Sequence, residues 1–480
     1  MLNALQKNCI SLAMVATICG IFILFVPFQI SLIVLLAFMI CIGFFRFPKV
    51  ILAVFSVYLL FQGFVAFQFE KIPQLEAVIK RSEEGLVLTF FLITIIKNAS
   101  LNKILWRRSD IDIPLSLLVV IAICSSIKNR IVPYQMAFFD LFLLLKGFMV
   151  FYIFYSLKFS SENLSKTMKA FFGLAVIVLM LGIVDLIAPQ SFRALIHSRQ
   201  FVEYRFGIPS VQSIFIHPGV FGWFMAFSAC FALAFYSVVG KKKYLFLFVM
   251  FLFGLILSMR FKPMIGILFA GLLPFFIISG KRRIKFIAIA CCLLLLLGVF
   301  FGARAKLLID DKVHTYLRGP RLENVARNVL YSTGFRIAKD FFPFGSGLGT
   351  FGGWIAAIYY SPLYSRYGIS SVYGLEKDGH FLTDTFWPYI TGQFGFIGIL
   401  MYVWILFSFS YTMMKIFKRT DDLIVKAFAL GVMMVLVEAV FESVAQPIFL
   451  SPPPYFFIFA CLGLANSRLI EHNDSKNILG

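Results

Sequence analysis

The chain has 480 residues, 60% of them hydrophobic and only 14% charged, with a mean hydropathy of +0.91. A soluble protein of this size needs a far more polar surface, so these values exclude a soluble globular domain and predict a polytopic membrane protein. The formal net charge of +21 does not point to nucleic acid, because most Lys and Arg lie in short loops between apolar runs, which is the positive-inside pattern.

About fourteen apolar runs are long enough to span, or nearly span, a bilayer. In chain order they cover 9–27, 30–45, 50–68, 85–98, 112–127, 139–157, 166–187, 217–239, 244–259, 264–279, 284–302, 387–413, 424–445 and 453–468. The fold class expected is an all-α polytopic membrane protein of about 12–14 transmembrane helices. The first run lacks a small-residue cleavage site and is followed at once by another, so no cleavable signal peptide is expected. All eight Cys lie in or beside apolar runs, which argues against disulfides and a Cys-ligated metal.

With the N-terminus cytoplasmic, alternate loops are basic: Arg46 and Lys49, then Lys97, Lys103, Arg107 and Arg108, Lys158 to Lys169, Lys241 to Lys243, Lys281 to Lys285, and Lys415 to Arg419. Both termini are therefore expected inside. Four regions follow: N-terminal helices over 1–138, a central transmembrane core over 139–302 with a smaller outer loop at 188–216, a large outer loop over 303–386, and C-terminal helices with a tail over 387–480. A loop as long as 303–386 is rarely mere connection. Short helices are predicted around Leu322–Asp340 and Phe351–Tyr360, with a turn at Gly345, Gly347 and Gly349.

The outer loops carry Arg193, Arg199, Arg205, Arg260, Lys262, Arg304, Lys306, Arg318, Arg321, Arg327, Arg336 and Arg366. Translocating such charge is unfavourable, so part of it should serve a purpose. Guanidinium donors match phosphate oxygens, and a diphosphate at the membrane surface would be a fitting target. The plain alternative is solvated charge, or ion pairs with Glu203, Asp310, Asp311, Glu323 and Asp340. Arg205, Arg260 with Lys262, and Arg336 have the best context as diphosphate ligands. Arg205 opens Arg205-Phe-Gly207, with His217-Pro218 at the next span. Arg260 follows Ser258-Met259 at an outer helix end, and Arg336 leads to Pro343 and the glycines. The glycine turn could offer N–H groups to an anion or simply end a helix.

His380 and Asp384 are four apart and would share a face of a helix. Either could take a proton from a sugar hydroxyl, and Asp384 could instead partner an arginine. Within the membrane, Lys146, Glu438 and Glu442 stand out. The two glutamates either neutralise arginine charge or pair with Lys146, the structural reading being preferred. Asp185, near a span end, is expected to reach water.

Arg336-x10-Gly347, and Asp384-Thr385 followed by nine residues and Gly395-Phe-Ile-Gly398, give the chain its resemblance. It resembles the O-antigen polymerase and O-antigen ligase superfamily of bacterial inner-membrane enzymes. The first stretch fits the family's R-x10-G motif. The second has the spacing of its H-[NSQ]-x9-G-x-x-G motif, with Asp in the His place. Arg205-Phe-Gly207 with His217-Pro218, and Ser258-Met-Arg260, are similar to elements of its smaller loop and of an outer helix end.

The resemblance spans roughly residues 140 to 410. It implies a GT-C-type glycosyltransferase fold and a metal-independent, inverting reaction without cofactors. The donor would be an undecaprenyl-diphosphate-linked oligosaccharide, and the active site periplasmic. The implied site comprises Asp384, His380 and Arg336 as catalytic residues, Arg205, Arg260, Lys262 and Arg336 on the diphosphate, and His217 and Gly347 on substrate. Implied partners are the lipid-linked oligosaccharide, membrane lipid and a chain-length regulator protein, with no nucleic acid. Asp384 in the His position tilts the reading toward a repeat-unit polymerase rather than a ligase acting on lipid A core. A lipid-linked oligosaccharide flippase is the alternative from another class, against which stand the large outer loop and the lack of repeat symmetry.

Overall fold

Apolar runs this long leave the backbone no partner in lipid but itself, so they fold as helices. A computed structural model describes residues 39–102, 106–157, 159–198, 201–205, 207–278 and 322–478. The runs expected at 9–27 and 284–302, most of 30–45, and Arg199, Arg304, Lys306, Arg318 and Arg321 lie outside the described residues.

The described helices are, in order, α1 (Pro48–Gln68), α2 (Pro73–Asn102), α3 (Asp112–Asn129), α4 (Tyr134–Tyr155), α5 (Ser161–Ile187), α6 (Pro189–Leu195), α7 (Pro218–Val239), α8 (Lys242–Leu257), α9 (Phe261–Ala270), α10 (Leu273–Ile277), α11 (Leu322–Asp340), α12 (Trp354–Tyr359), α13 (Pro362–Arg366), α14 (Trp387–Arg419), α15 (Leu423–Glu442) and α16 (Pro454–Ile478). Seven of them, α1, α3, α4, α5, α7, α14 and α15, are long and apolar enough to cross a membrane. The architecture is that of an all-α polytopic membrane protein. Among the described residues one two-stranded hairpin interrupts it, pairing β1 (Tyr204–Arg205) with β2 (Ile208–Pro209) antiparallel.

α7 is the hub. Phe221 to Phe235 are buried without a break, as expected of a helix apolar all round, and α8 and α15 pack along it. His217 caps its start, with Nδ1 accepting from the Gly219 N–H at 3.0 Å, and Gly240 ends it in the left-handed region at φ 79°. Around this hub α16 packs on α4, and α14 packs on α3, α11 and α15. Loops bearing basic residues meet at one end: Lys97 Nζ donates to the Phe45 carbonyl at 2.7 Å and Lys49 lies over the Phe159 ring.

Two expected spans are broken. The run at 264–279 divides into α9 and α10 just before Pro274, which has no N–H to continue the ladder. α14 carries a non-helical residue, Gly395, at φ 64° and ψ −164°. At the other end of the bundle, residues 322–386 form a cap with its own small core of Ala326, Leu330, Ile337, Phe351, Tyr364 and Leu382.

The cap is fastened to α14 at the break. There the Gly392 and Gln393 carbonyls accept from the Ser346 and Gly347 N–H groups at 3.0 and 2.9 Å. A side chain on Gly345 would meet the backbone of Gln393 and Gly395 at 2.4–2.6 Å, and one on Gly395 would meet the Pro343 carbonyl at 2.4 Å. Gly345 of the glycine turn and Gly395 of the second motif thus each have to lack a side chain, because the other's backbone lies where it would go.

Two expectations about buried charge are corrected. Asp185 does not reach water: it is fully buried and binds the Arg193 guanidinium at 2.8 and 3.2 Å. It also accepts from the Gln212 and Ser213 N–H groups at 2.8 and 3.1 Å. Lys146 does not pair with Glu438 or Glu442. It donates to Glu83 of α2 at 2.9 Å and lies over the Tyr455 ring, because α2 and α16, not α15, flank its face of α4.

Candidate functional site

At the capped end, a hairpin, an interhelical turn and two helices deliver cations to one patch. The hairpin sets Arg205, whose Nε donates to Glu203 Oε1 at 2.8 Å. The turn between α8 and α9 sets Arg260: Met259 takes a left-handed φ of 53°, and the Arg260 N–H reaches Ser258 Oγ at 3.3 Å. Arg260 Nη2 pairs with the other oxygen of Glu203, and Arg205 Nη1 donates to the Met259 carbonyl at 3.0 Å. One carboxylate thus clamps two guanidinium groups. Burial raises the Glu203 carboxyl, but Arg205 and Arg260 outweigh that and hold it below the usual range.

Lys262 joins the patch from the first turn of α9, outside the seven spanning helices, with Nζ donating to the Ala445 carbonyl. α11 supplies Arg327, whose Nε binds Asp384 Oδ2 at 2.6 Å and whose Nη2 binds the same oxygen. Beside it, Tyr331 donates to the Val444 carbonyl at 2.7 Å. Arg327, Arg260, Asp384 and Glu442 all act electrostatically on Lys262, so these groups form one cluster. Four cations face the two carboxylates Glu203 and Asp384, with Glu442 buried beneath. Glu438, one turn from Glu442, is buried against Gly266 of α9.

Burial and the neighbouring Arg327 bring the Lys262 ammonium down from 10.5 to about 8, against the pull of Asp384 and Glu442. Between those values the folded chain holds fewer protons than the unfolded one. Lys262 therefore disfavours the fold below about 8, and that cost is relieved as pH rises toward 10.5. An anion needs the charged form. Affinity for inorganic pyrophosphate is expected to fall as pH rises through about 8. Lys262→Arg should flatten that fall, since guanidinium stays charged. Calorimetric titration of both proteins across this range checks it, and identical profiles would remove Lys262 from the anion site.

The predicted residues divide. Arg205, Arg260, Lys262 and Asp384 come together. Arg336 does not join them through its helix: it is exposed, has no ion pair among the described residues, and lies nine positions from Arg327, half a turn round α11. His380 and Asp384 share no helix face, because 380–386 is a run of turns and bends; His380 is exposed there, without a hydrogen bond to any described residue. His217 is exposed and works as the cap of α7.

Gly347 is buried at φ 104°, its Cα backed by Ser126 of α3. The glycine turn is not open to an anion. Beyond the two N–H groups that bind α14, Gly345 donates to the Phe341 carbonyl, Leu348 to Ser126 Oγ and Gly349 to Asp140.

Arg327 and Glu203 were among the outer-loop charges, without a site role. A helical wheel of 322–340 would have separated Arg327 from Arg336, but nothing local signals that Glu203 links hairpin to turn. No protein-family model matches the chain, and no curated protein is significantly similar to it.

Proposed function

We propose that the protein is a bacterial inner-membrane glycosyltransferase that polymerises undecaprenyl-diphosphate-linked oligosaccharide repeat units on the periplasmic side. The observation that carries the reading is the convergence of Arg205, Arg260, Lys262 and Arg327 at the capped end of a lipid-facing bundle. Fixed guanidinium groups suit a diphosphate, whose charge grows as the sugar leaves. The surrounding apolar helices suit a polyprenyl chain.

In the proposed reaction an acceptor hydroxyl attacks the anomeric carbon from the face opposite the diphosphate. The new C–O bond forms as the bond to the diphosphate oxygen breaks, with inversion, and the bonding pair leaves on the diphosphate. Arg260, Arg205 and Lys262 neutralise that charge. Asp384 fixes Arg327 through one oxygen and offers its carboxylate to the hydroxyl proton.

The test is purified protein in lipid nanodiscs given one defined undecaprenyl-diphosphate-linked repeat unit. A ladder of lengths without lipid A core is expected. Extension only when lipid A core is supplied would make the protein a ligase, and translocated but unextended substrate would make it a flippase.

A further inference from the structure

A cavity of about 400 Å³ lies beside the cationic patch and is chemically unlike it. Its wall includes Arg81, Glu83 and Glu84 from the outer part of α2, Asp140 and Lys146 from α4, and Trp354 at the start of α12. The volume falls within the range of small-molecule sites. Carboxylates and cations alternate here: Lys146 pairs with Glu83 at 2.9 Å and Glu84 at 3.7 Å, Lys80 pairs with Glu76 of the same helix, and Arg81 lies over one face of the Trp354 ring at 5.4 Å. A diphosphate would meet Glu83, Glu84 and Asp140 instead of unspent cations. A ligand without net charge but rich in hydroxyls would find acceptors in the carboxylates and an aromatic face in Trp354, 46% exposed.

We propose that this cavity binds uncharged sugar rings of a glycan, one ring lying on the face of Trp354 opposite Arg81 and its hydroxyls donating to Glu84 and Asp140. The proposal rests on the glycosyltransferase reading, which it deepens by assigning the glycan its own subsite. Thr383 lines the cavity and Asp384, the next residue, binds Arg327 of the patch, so the cavity and the patch adjoin along this segment.

The test uses the full chain in nanodiscs and, as probe, the oligosaccharide released by mild acid from the cell's undecaprenyl-linked pool. Saturable binding by calorimetry is expected, weakened about tenfold or more by Trp354→Ala and by Glu84→Gln. Trp354→Phe, which keeps an aromatic face, should bind within a few-fold of the parent, and Arg260→Ala should leave oligosaccharide binding unchanged. No binding by the parent protein, or equal binding by Trp354→Ala and Glu84→Gln, overturns the subsite. Titrating the same samples with undecaprenyl diphosphate separates the two ideas. Lipid binding without oligosaccharide binding sinks the cavity alone, while oligosaccharide binding without lipid binding sinks the glycosyltransferase reading and spares the cavity.

Discussion

Arg260→Ala is expected to lower the rate of repeat-unit polymerisation by about 10²–10³-fold, the loss typical of a preorganised donor to a developing negative charge. Arg260 is the best placed of the cations for this, because Glu203 and the Ser258 turn fix it before any ligand arrives. Glu203→Gln should cost less, about tenfold, because both guanidinium groups remain but lose their common anchor. Arg327→Ala should resemble Arg260→Ala, and in addition leaves Asp384 without its cation. Arg336→Ala is the contrasting case: an exposed arginine on the other flank of α11 should cost no more than a few-fold. Rates from nanodisc-embedded protein and one defined lipid-linked repeat unit decide the matter. Equal losses for Arg327→Ala and Arg336→Ala would mean that the helix face drawn above is not the one that meets substrate.

The largest loss of stability is expected from Arg193→Ala, about 3–5 kcal/mol, the usual consequence of removing one partner of a buried ion pair. Arg193 is 1% exposed and binds Asp185 and the Phe201 and Ser210 carbonyls, the last two at 2.8 and 3.0 Å. Without it, Asp185 keeps only the Gln212 and Ser213 N–H groups and loses its counter-charge in a dry site. Replacing both, as Arg193→Met with Asp185→Leu, should recover part of the loss, since apolar side chains of similar size need no counter-charge. Thermal midpoints in detergent check the order parent, double variant, single variant. Arg193 also ties down the segment that bears Glu203 and Arg205, so the single variant should weaken pyrophosphate binding even where the protein remains folded.

Helices were readable because lipid imposes the pattern: Pro48–Gln68, Pro218–Val239 and Leu423–Glu442 end within a few residues of their apolar runs. What escaped were interruptions, such as Pro274 within an apolar stretch and Gly395 inside an otherwise good helix, where tertiary contacts rather than hydropathy choose the backbone. In the candidate site, Arg260 and Lys262 were legible because each sits at a helix end, where charge is conspicuous, and Arg205 because it lies in the smaller outer loop between spans. Arg327 and Arg336 were not separable from motif spacing alone, since spacing carries no information on which flank of a helix meets a neighbour. Lys146 was assigned the wrong glutamates for a related reason: periodicity shows which residues share a helix, not which helices share an interface. The glycine turn suited an anion cradle and a helix-ending turn equally because its N–H groups are formally unused in sequence, and only the packing against Gln393 and Ser126 shows them taken.

The interlock of Gly345 with Gly395 has a mechanical consequence. Main chain touches main chain at that seam, with hydrogen bonds running from cap to α14, so the roof over the bundle cannot swing upward there as a lid does. Under the proposed function, a bulky lipid-borne substrate would then enter sideways, along the plane of the bilayer, rather than from above.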